Sequence, residues 1–508
     1  MTIRNKKIQQ EIFLSESVTT RAVSQMVREG GARKIGPRLY TSNINEPVEV
    51  IVARNLWQIV GMLAPGGVIG FRTALESRPA DDGSVFITCG YKKITELPGL
   101  RIVRVAGIGP TEGDMPFIGG LYMASPARLL LENLAPTKTR ESATRSAGQA
   151  AVEEKLVSIL RIRGEDELKR IRDLSRVIAP VIGLEKEFKL LDRIIGSLLQ
   201  TREAELHTPV AKSYSKGEPY DPLRLEQFEA LRSALARTVL PARIRRHMTG
   251  SAFNNESFFD AYFSNFIEGT EFEVDEALGI VFSGVIPQSR PEDAHDILGT
   301  YRVVGNLEEL KRTPADVSSF ITLLCQRHTS IMAGRPDKRP GLFKEKGNRA
   351  GTTYFVAPEL VKGTLAQGYA FYNSLADPLA RALFMMYLVS EVHPYDDGNG
   401  RTARAMMNAE LVSAGICRIV IPSVYRNEYI SSLKLLSNHK DATAFLRVMD
   451  VSQEFVSRID FSDLATARQI LEHCNAFERP ADNVRLMMPA DPTEAGRGEK
   501  TVVIASRR

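Results

Sequence analysis

The stretch His393-Pro394-Tyr395-Asp396-Asp397-Gly398-Asn399-Gly400-Arg401-Thr402-Ala403-Arg404 lies between two helical patterns and sets the architecture around it. Upstream, Leu379 to Glu391 opens with Asp377-Pro378 and is apolar nearly all round, so it is predicted to be a helix inside a helical core. Because Pro394 disfavours the α conformation at the residue before it, His393 is expected at or just beyond that helix end, with its ring facing a cleft. Gly398-Asn399-Gly400 then turns the chain into a second helix, Arg401 to Ala414, stopped by Gly415. A glycine turn feeding a helix N-terminus aims backbone N–H groups and the positive dipole end at one spot, which suits an anion.

Each side chain of the stretch suits phosphate chemistry. Asp397 offers a hard oxygen for Mg²⁺. Arg401 and Arg404, three apart, are neighbours on one helix face and can both address phosphate oxygens. His393, with an ordinary pKa near neutrality, can take a proton from an attacking hydroxyl. Singly these residues are commonplace; their convergence in twelve positions is specific.

The stretch resembles the signature of the Fic family, HPFxxGNGRxxR with an acidic residue in the second variable place. It departs only at Tyr395, where Phe is usual. The resemblance covers about residues 220–480 and implies an all-α core that transfers AMP from ATP to a Ser, Thr or Tyr hydroxyl of a target protein. It implies His393 as general base, Asp397 as Mg²⁺ ligand, Gly398, Asn399 and Gly400 as the α/β-phosphate cradle, Arg401 on phosphates and Arg404 on the γ-phosphate. A β-hairpin flap over the cleft is also implied, and the β-prone piece Ala350 to Val356, with Thr352, Thr353 and Tyr354, is its candidate. Tyr429 either lines the adenine pocket, as the resemblance implies, or packs in the core.

Further upstream, Phe258, Phe259, Tyr262, Phe263, Phe266 and Ile267 form one helical face, Ser264 and Glu268 share another, and Gly269 ends the helix. Ser264 to Gly269 resembles the (S/T)xxxE(G/N) inhibitory motif of one class of Fic proteins. The resemblance implies an inhibitory helix at 256–269 in which Glu268 forms a bidentate pair with Arg404 and withholds it from ATP. In related proteins a glutamate of this type instead aligns water for AMP removal, so a de-AMPylating enzyme remains an alternative.

At 508 residues, with 43% hydrophobic and 25% charged residues, the chain is expected to fold as several soluble domains, mainly α. The basic start lacks a secretory apolar stretch and the longest apolar run, Ala382 to Val389, is too short for a membrane span, so a cytoplasmic protein without membrane contact is expected. Cys89, Cys325, Cys417 and Cys474 show no paired spacing, which argues against a disulfide framework or structural zinc.

Residues 1–45 hold eight Lys+Arg against three Asp+Glu, an excess equal to the +5 of the whole chain. A helix over 17–29 ending at Gly30-Gly31 and two extended pieces around Gly36-Pro37 outline a winged helix with a basic wing. A DNA contact through residues 1–45 and a merely solvated basic terminus are both compatible with that charge. Residues 46–134 read as an α+β domain, with strands at Ser84–Cys89 and Leu100–Ala106 and a helix capped by Ser125 before Pro126. The segments KIGPRLYTS, GGVIGFRTALES, SVFITC and GLYMASPARLLLENL resemble the AbiEi-type antitoxin and regulator family over the first two-fifths of the chain. That resemblance implies a winged helix joined to an α/β domain, and a DNA-binding regulator with the Fic part as sensor is the remaining alternative. A linker and helical segment are expected over 135–207, a second break at 208–222 inside a helical domain running over 208–489, and a disordered tail over 490–508. Homodimerisation stays open.

Overall fold

The computed structural model describes residues 10–16, 20–137, 143–241, 243–245, 250–351, 353–481 and 484–490. Part of the winged-helix reading, part of the linker reading and the tail from residue 491 lie outside them. The chain divides into two compact units, Met1–Gly217 and Glu218–Arg508.

The first unit begins with β1 (Ile12–Leu14), α1 (Thr20–Arg28), β2 (Arg33–Gly36) and β3 (Leu39–Thr41), whose strands form an antiparallel sheet in the order β1-β3-β2. The first of these strands was not foreseen. Then come α2 (Val48–Arg54), α3 (Leu56–Leu63), β4 (Val68–Ile69) and α4 (Phe71–Glu76). They are followed by β5 (Ser84–Cys89), β6 (Lys93–Leu97), β7 (Leu100–Ala106), β8 (Met115–Phe117) and β9 (Leu121–Met123). A mixed six-stranded sheet results, in the order β6-β7-β5-β4-β9-β8.

Helix α5 (Pro126–Leu134) is capped by the Ser125 hydroxyl accepting from the Arg128 N–H, with Pro126 in the first turn. Helices α6 (Gly148–Arg163), α7 (Glu165–Ile182) and α8 (Glu185–Leu198) all pack on it. A boundary at 134/135 therefore does not separate two domains: α5 is buried from Ala127 to Asn133 and needs those helices as cover. The break expected over 208–222 contains a short helix, α9 (Pro209–Ser215), capped by Thr208.

Among the described residues the elements of the second unit are helices apart from one hairpin, with Ile244 and Ile416 forming an isolated bridge. It holds α10 (Pro222–Arg237), α11 (Ser251–Ile267), α12 (Val274–Ser283), α13 (Pro291–Val304), α14 (Leu307–Leu310) and α15 (Val317–Ile331). The hairpin pairs β10 (Arg349–Ala350) with β11 (Thr353–Tyr354). After it come α16 (Val361–Asn373), α17 (Pro378–Val392), α18 (Asn399–Ser413), α19 (Arg426–His439), α20 (Thr443–Ser457) and α21 (Leu464–His473).

Two of these helices position the site. Helix α17 starts where Asp377 accepts from the Ala380 N–H and is buried nearly all round between α10, α16 and α18. Helix α11 packs Phe258, Phe259 and Phe263 into a cluster with Ile297, Val303 and Phe461. Its polar face, expected to be distinct, is buried as well, because arginines of neighbouring elements reach it. Arg418, fully buried, donates to Asp260 at 3.0 Å, to the Ser257 hydroxyl at 2.9 Å and to the Val304 carbonyl at 3.0 Å. Asn408 of α18 donates to the same Asp260 carboxylate at 3.0 Å. Such a buried charge is kept at low cost only when its partners are fixed, so the network locks α11 in register against α13 and α18.

Candidate functional site

His393 ends α17 in the left-handed conformation, φ 52° and ψ 59°, because Pro394 bars the helix from continuing. Its ring lies flat on Phe355, centroids 3.8 Å apart. Its Nδ1 is 3.3 Å from the Ser390 carbonyl. A carbonyl only accepts, so Nδ1 carries the proton and Nε2 keeps a lone pair for accepting one. Burial, with the Lys344 ammonium alongside, pushes the His393 pKa down to about 4, so the imidazole is neutral at physiological pH.

The loop after His393 is held from residues that the sequence did not single out. Lys344 Nζ donates to the His393 carbonyl and to Asn348 Oδ1, both at 2.7 Å, and Asn348 donates to the Tyr395 carbonyl at 2.9 Å. Burial lowers the Lys344 pKa to about 8. Tyr395, fully buried, stacks on His328 with centroids 3.6 Å apart. Gly341 N–H donates to His328 Nδ1 at 2.8 Å, so His328 Nε2 carries the proton and donates to the Asp397 carbonyl at 3.0 Å. Asn399 closes the turn on itself: its amide accepts from Tyr395 N–H at 2.8 Å and donates to the Tyr395 carbonyl at 2.9 Å.

Burial lowers the His328 pKa to about 4 as well. Both imidazoles bind protons more readily unfolded, at an ordinary pKa near 6.5, than folded. Stability is therefore complete above pH 6.5 and is lost as pH falls toward 4, by about 2–3 kcal/mol for each histidine at pH 4.5. Denaturant unfolding at pH 7.5 and 4.5 should show this slope, and His328→Gln should remove roughly half of the part due to the two histidines.

The turn delivers α18 with Gly398 at φ +74°. A Cβ there would meet Met332 Sδ at 2.5 Å, which explains the glycine. Asp397 Oδ1 accepts from Gly398 N–H at 2.6 Å, while its side chain is 41% exposed, leaving its second oxygen open to a cation. Among the described residues no group of three or more His, Cys, Asp or Glu could hold a metal on its own. One exposed carboxylate oxygen beside a helix N-terminus nevertheless fits Mg²⁺, which keeps much of its coordination for water and other oxygen ligands.

The two arginines diverge. Arg401 is buried and its guanidinium is committed to Asp296 at 2.9 Å, with Asn265 Oδ1 at 3.4 Å and Asp397 at 3.5 Å. It was expected on phosphates; here Asp296, shared with Arg335, holds it. Arg404, also buried, donates from Nε to the Ser264 hydroxyl at 2.9 Å and from one Nη to the Ser264 carbonyl at 2.8 Å and Glu268 Oε1 at 2.7 Å. The Glu268 pair is thus a single bond rather than the bidentate fork expected: Ser264 holds Nε and shares one Nη with Glu268, whose carboxylate does not reach the second Nη. Glu268 caps the end of α11 and Gly269 leaves it at φ +96°. A carboxylate at a helix C-terminus is disfavoured by the dipole, but this one lies over the N-terminus of α18, where the sign reverses. The fit requires Gly400, since a Cβ there would stand 2.0 Å from Glu268 Oε1.

These groups surround a cavity of about 200 Å³ that brings together Glu268, Thr353, His393, Gly400, Arg404 and Tyr429. Tyr429 is buried, its ring centroid 6.0 Å from the Arg404 guanidinium. Tyr354 presents its side chain to solvent, and Thr352 lies outside the described residues. Asp397 and Arg401 do not line the cavity. Glu391, buried on α17, does, and it pairs with Arg224 of α10 and accepts from the Ser437 hydroxyl at 2.5 Å. Nothing in its local sequence marked Glu391.

The profile of the Fic/DOC family matches residues 319–411. A Fido domain-containing protein of Dictyostelium discoideum is 35% identical over 104 residues, which cover 20% of this chain and 73% of that protein. The chain belongs to the Fic/DOC family. The protein adenylyltransferase fic-1 of Caenorhabditis briggsae is 28% identical over 197 residues, 37% of this chain and 38% of that protein. The chain thus spans about two fifths of the length of this adenylyltransferase. Among solved structures, Fic-1 (residues 134–508) of C. elegans aligns with a TM-score of 0.35 at 19% identity, over 67% of this chain and 90% of that one. Among the described residues no helix is long and apolar enough to cross a membrane.

Proposed function

We propose that the protein is a self-inhibited adenylyltransferase that moves AMP from ATP to a Ser, Thr or Tyr hydroxyl of a target protein. The observation that carries this reading is Arg404, pinned by Ser264 and Glu268 over the N-terminus of α18 beside a neutral His393. The target oxygen attacks the α-phosphorus, forming the O–P bond. The bond from that phosphorus to the β-phosphate bridging oxygen breaks, and pyrophosphate leaves with the electron pair. The hydroxyl proton passes to His393 Nε2. N–H groups of the first α18 turn, which have no intrahelical partner, receive the phosphates. Asp397 would hold Mg²⁺, which supplies charge neutralisation to the phosphates when bound.

In the resting arrangement Glu268 occupies the anion position and holds the arginine meant for the γ-phosphate. With Mg²⁺ and ATP labelled in the α-phosphate, Glu268→Gly should label itself or a target far more than the unchanged protein, and adding His393→Ala should abolish it. Equal labelling by all three proteins would sink the proposal. AMP released from a modified target only when Glu268 is present would select removal instead. That reading draws on Glu268 Oε2, which accepts no hydrogen bond from the described residues and belongs to a side chain at the cavity wall.

For the first unit, we propose a winged helix that contacts DNA. The sheet β1-β3-β2 stands with α1, and Arg21, Arg28, Lys34 and Arg38 are all exposed. Deleting residues 1–45 should abolish binding to a duplex, and binding by the whole protein should weaken steeply with salt, at a slope of about −0.9 per phosphate neutralised. Salt-independent or absent binding would leave the basic residues as a solvated surface.

A further inference from the structure

The β10–β11 hairpin consists of two residue pairs, Arg349 with Tyr354 and Ala350 with Thr353. A two-stranded hairpin is marginal in water, so something outside it must fix it. One tie is Phe355, whose N–H donates to the Asn348 carbonyl at 3.2 Å and whose ring covers His393. With 348 and 355 joined by a hydrogen bond, 349 and 354 form a non-hydrogen-bonded pair, so the Tyr354 carbonyl points away from β10. That carbonyl is taken by Arg224.

Arg224 is itself firmly placed. Its side chain is 12% exposed and pairs with Glu391, 5% exposed, two residues before His393. It reaches Gln227 Oε1 at 3.3 Å, and Gln227 donates to the Ser437 carbonyl at 2.6 Å. Ser437 in turn donates to Glu391 Oε2 at 2.5 Å. Helices α10 and α17 thus meet at one guanidinium, α19 braces both of its side-chain partners through Ser437, and its remaining reach ends on the flap. Thr353 and Phe355, on either side of Tyr354, both line the cavity.

We infer that Arg224 is a positioning residue that fixes the flap over the cavity by bridging the buried Glu391 carboxylate and the Tyr354 carbonyl. Its consequence for catalysis rests on the adenylyltransferase reading, but the placement of the flap does not. Loss of the bridge frees the hairpin while leaving the phosphate end, formed by Gly400 and Arg404, in place. An incoming target segment then meets a mobile wall, whereas ATP still finds its helix N-terminus.

The full chain carries the test. Lys346, just before the flap, and Arg349, its first residue, are exposed, so limited trypsin digestion reports its opening. Arg224→Gln should speed cleavage after both residues by about tenfold, with cleavage at exposed sites elsewhere unchanged. Arg224→Lys keeps a charge beside Glu391 without the two-pronged reach. It should show the same local effect with an unchanged melting temperature, so that variant decides the matter if Arg224→Gln unfolds. In a Glu268→Gly background, Arg224→Lys should raise KM for the target while leaving ATP affinity unaltered. Unchanged cleavage at both sites in Arg224→Lys overturns the inference. If Glu268→Gly labels nothing, the adenylyltransferase reading falls and digestion still decides the role of Arg224.

Discussion

Glu268→Gly is expected to raise AMP transfer by about 10⁴–10⁵-fold, measured as label from α-phosphate-labelled ATP at saturating Mg²⁺. Two terms set the range. The bond from Arg404 to Glu268 is charge-assisted, worth about 1.5–3 kcal/mol. A carboxylate left about 4 Å from a γ-phosphate charge would oppose it by roughly 4 kcal/mol at an effective dielectric of 20, and this repulsion disappears with the side chain. With a single bond seen in the structure, the second term is the larger of the two. Ser264→Ala provides the contrast. It removes the hydroxyl that accepts from Arg404 Nε but leaves the carboxylate over α18, so it should activate much less than Glu268→Gly. Activation by Ser264→Ala equal to that by Glu268→Gly would mean that release of the arginine, and not of the anion position, governs the switch.

The local features of this site could be read from the chain, and the long-range ones could not. Leu379 to Glu391 became a helix at Pro378–Val392, and the glycine turn starts α18 at Asn399, because Asp377-Pro378, Pro394 and Gly398 are short-range signals that need no partner. Ser125-Pro126 worked in the same way at α5. The same signal, Thr208-Pro209, was available for α9 and was read as a break instead. Arg224, Glu391, Lys344, Asn348 and Asp296 reach the site through contacts across tens to hundreds of residues, and their types are the commonest at any surface. His328 could have been suspected only from its burial, and burial is a property of the assembled core. Glu268 was legible because it came with a matching neighbour motif. The geometry of its contact was not, since nothing local shows that Ser264 would share Arg404.

His393→Ala in the Glu268→Gly background carries the other large effect, a loss of about 10²–10⁴-fold in kcat with ATP affinity retained. The split follows from the proposed roles: among the described residues the ring forms no hydrogen bond with the α18 N-terminus, which is proposed to receive the phosphates, and its backbone carbonyl, not its side chain, anchors Lys344. A pH profile separates base catalysis from mere packing against Phe355. With Nδ1 protonated toward Ser390 and the pKa at about 4, the neutral base is present throughout the range above pH 5, so kcat/KM should stay flat there and fall only on an acid limb near pH 4. An unburied histidine would place that limb near 6.5. Because His393 and His328 charge together as the fold loosens, the limb must be measured with unfolding monitored at the same pH. His328→Gln should then steady the fold without moving the limb. A limb near 6.5 in folded protein would show that the imidazole titrates in contact with water, and a flat profile retained in His393→Ala would remove it as the base.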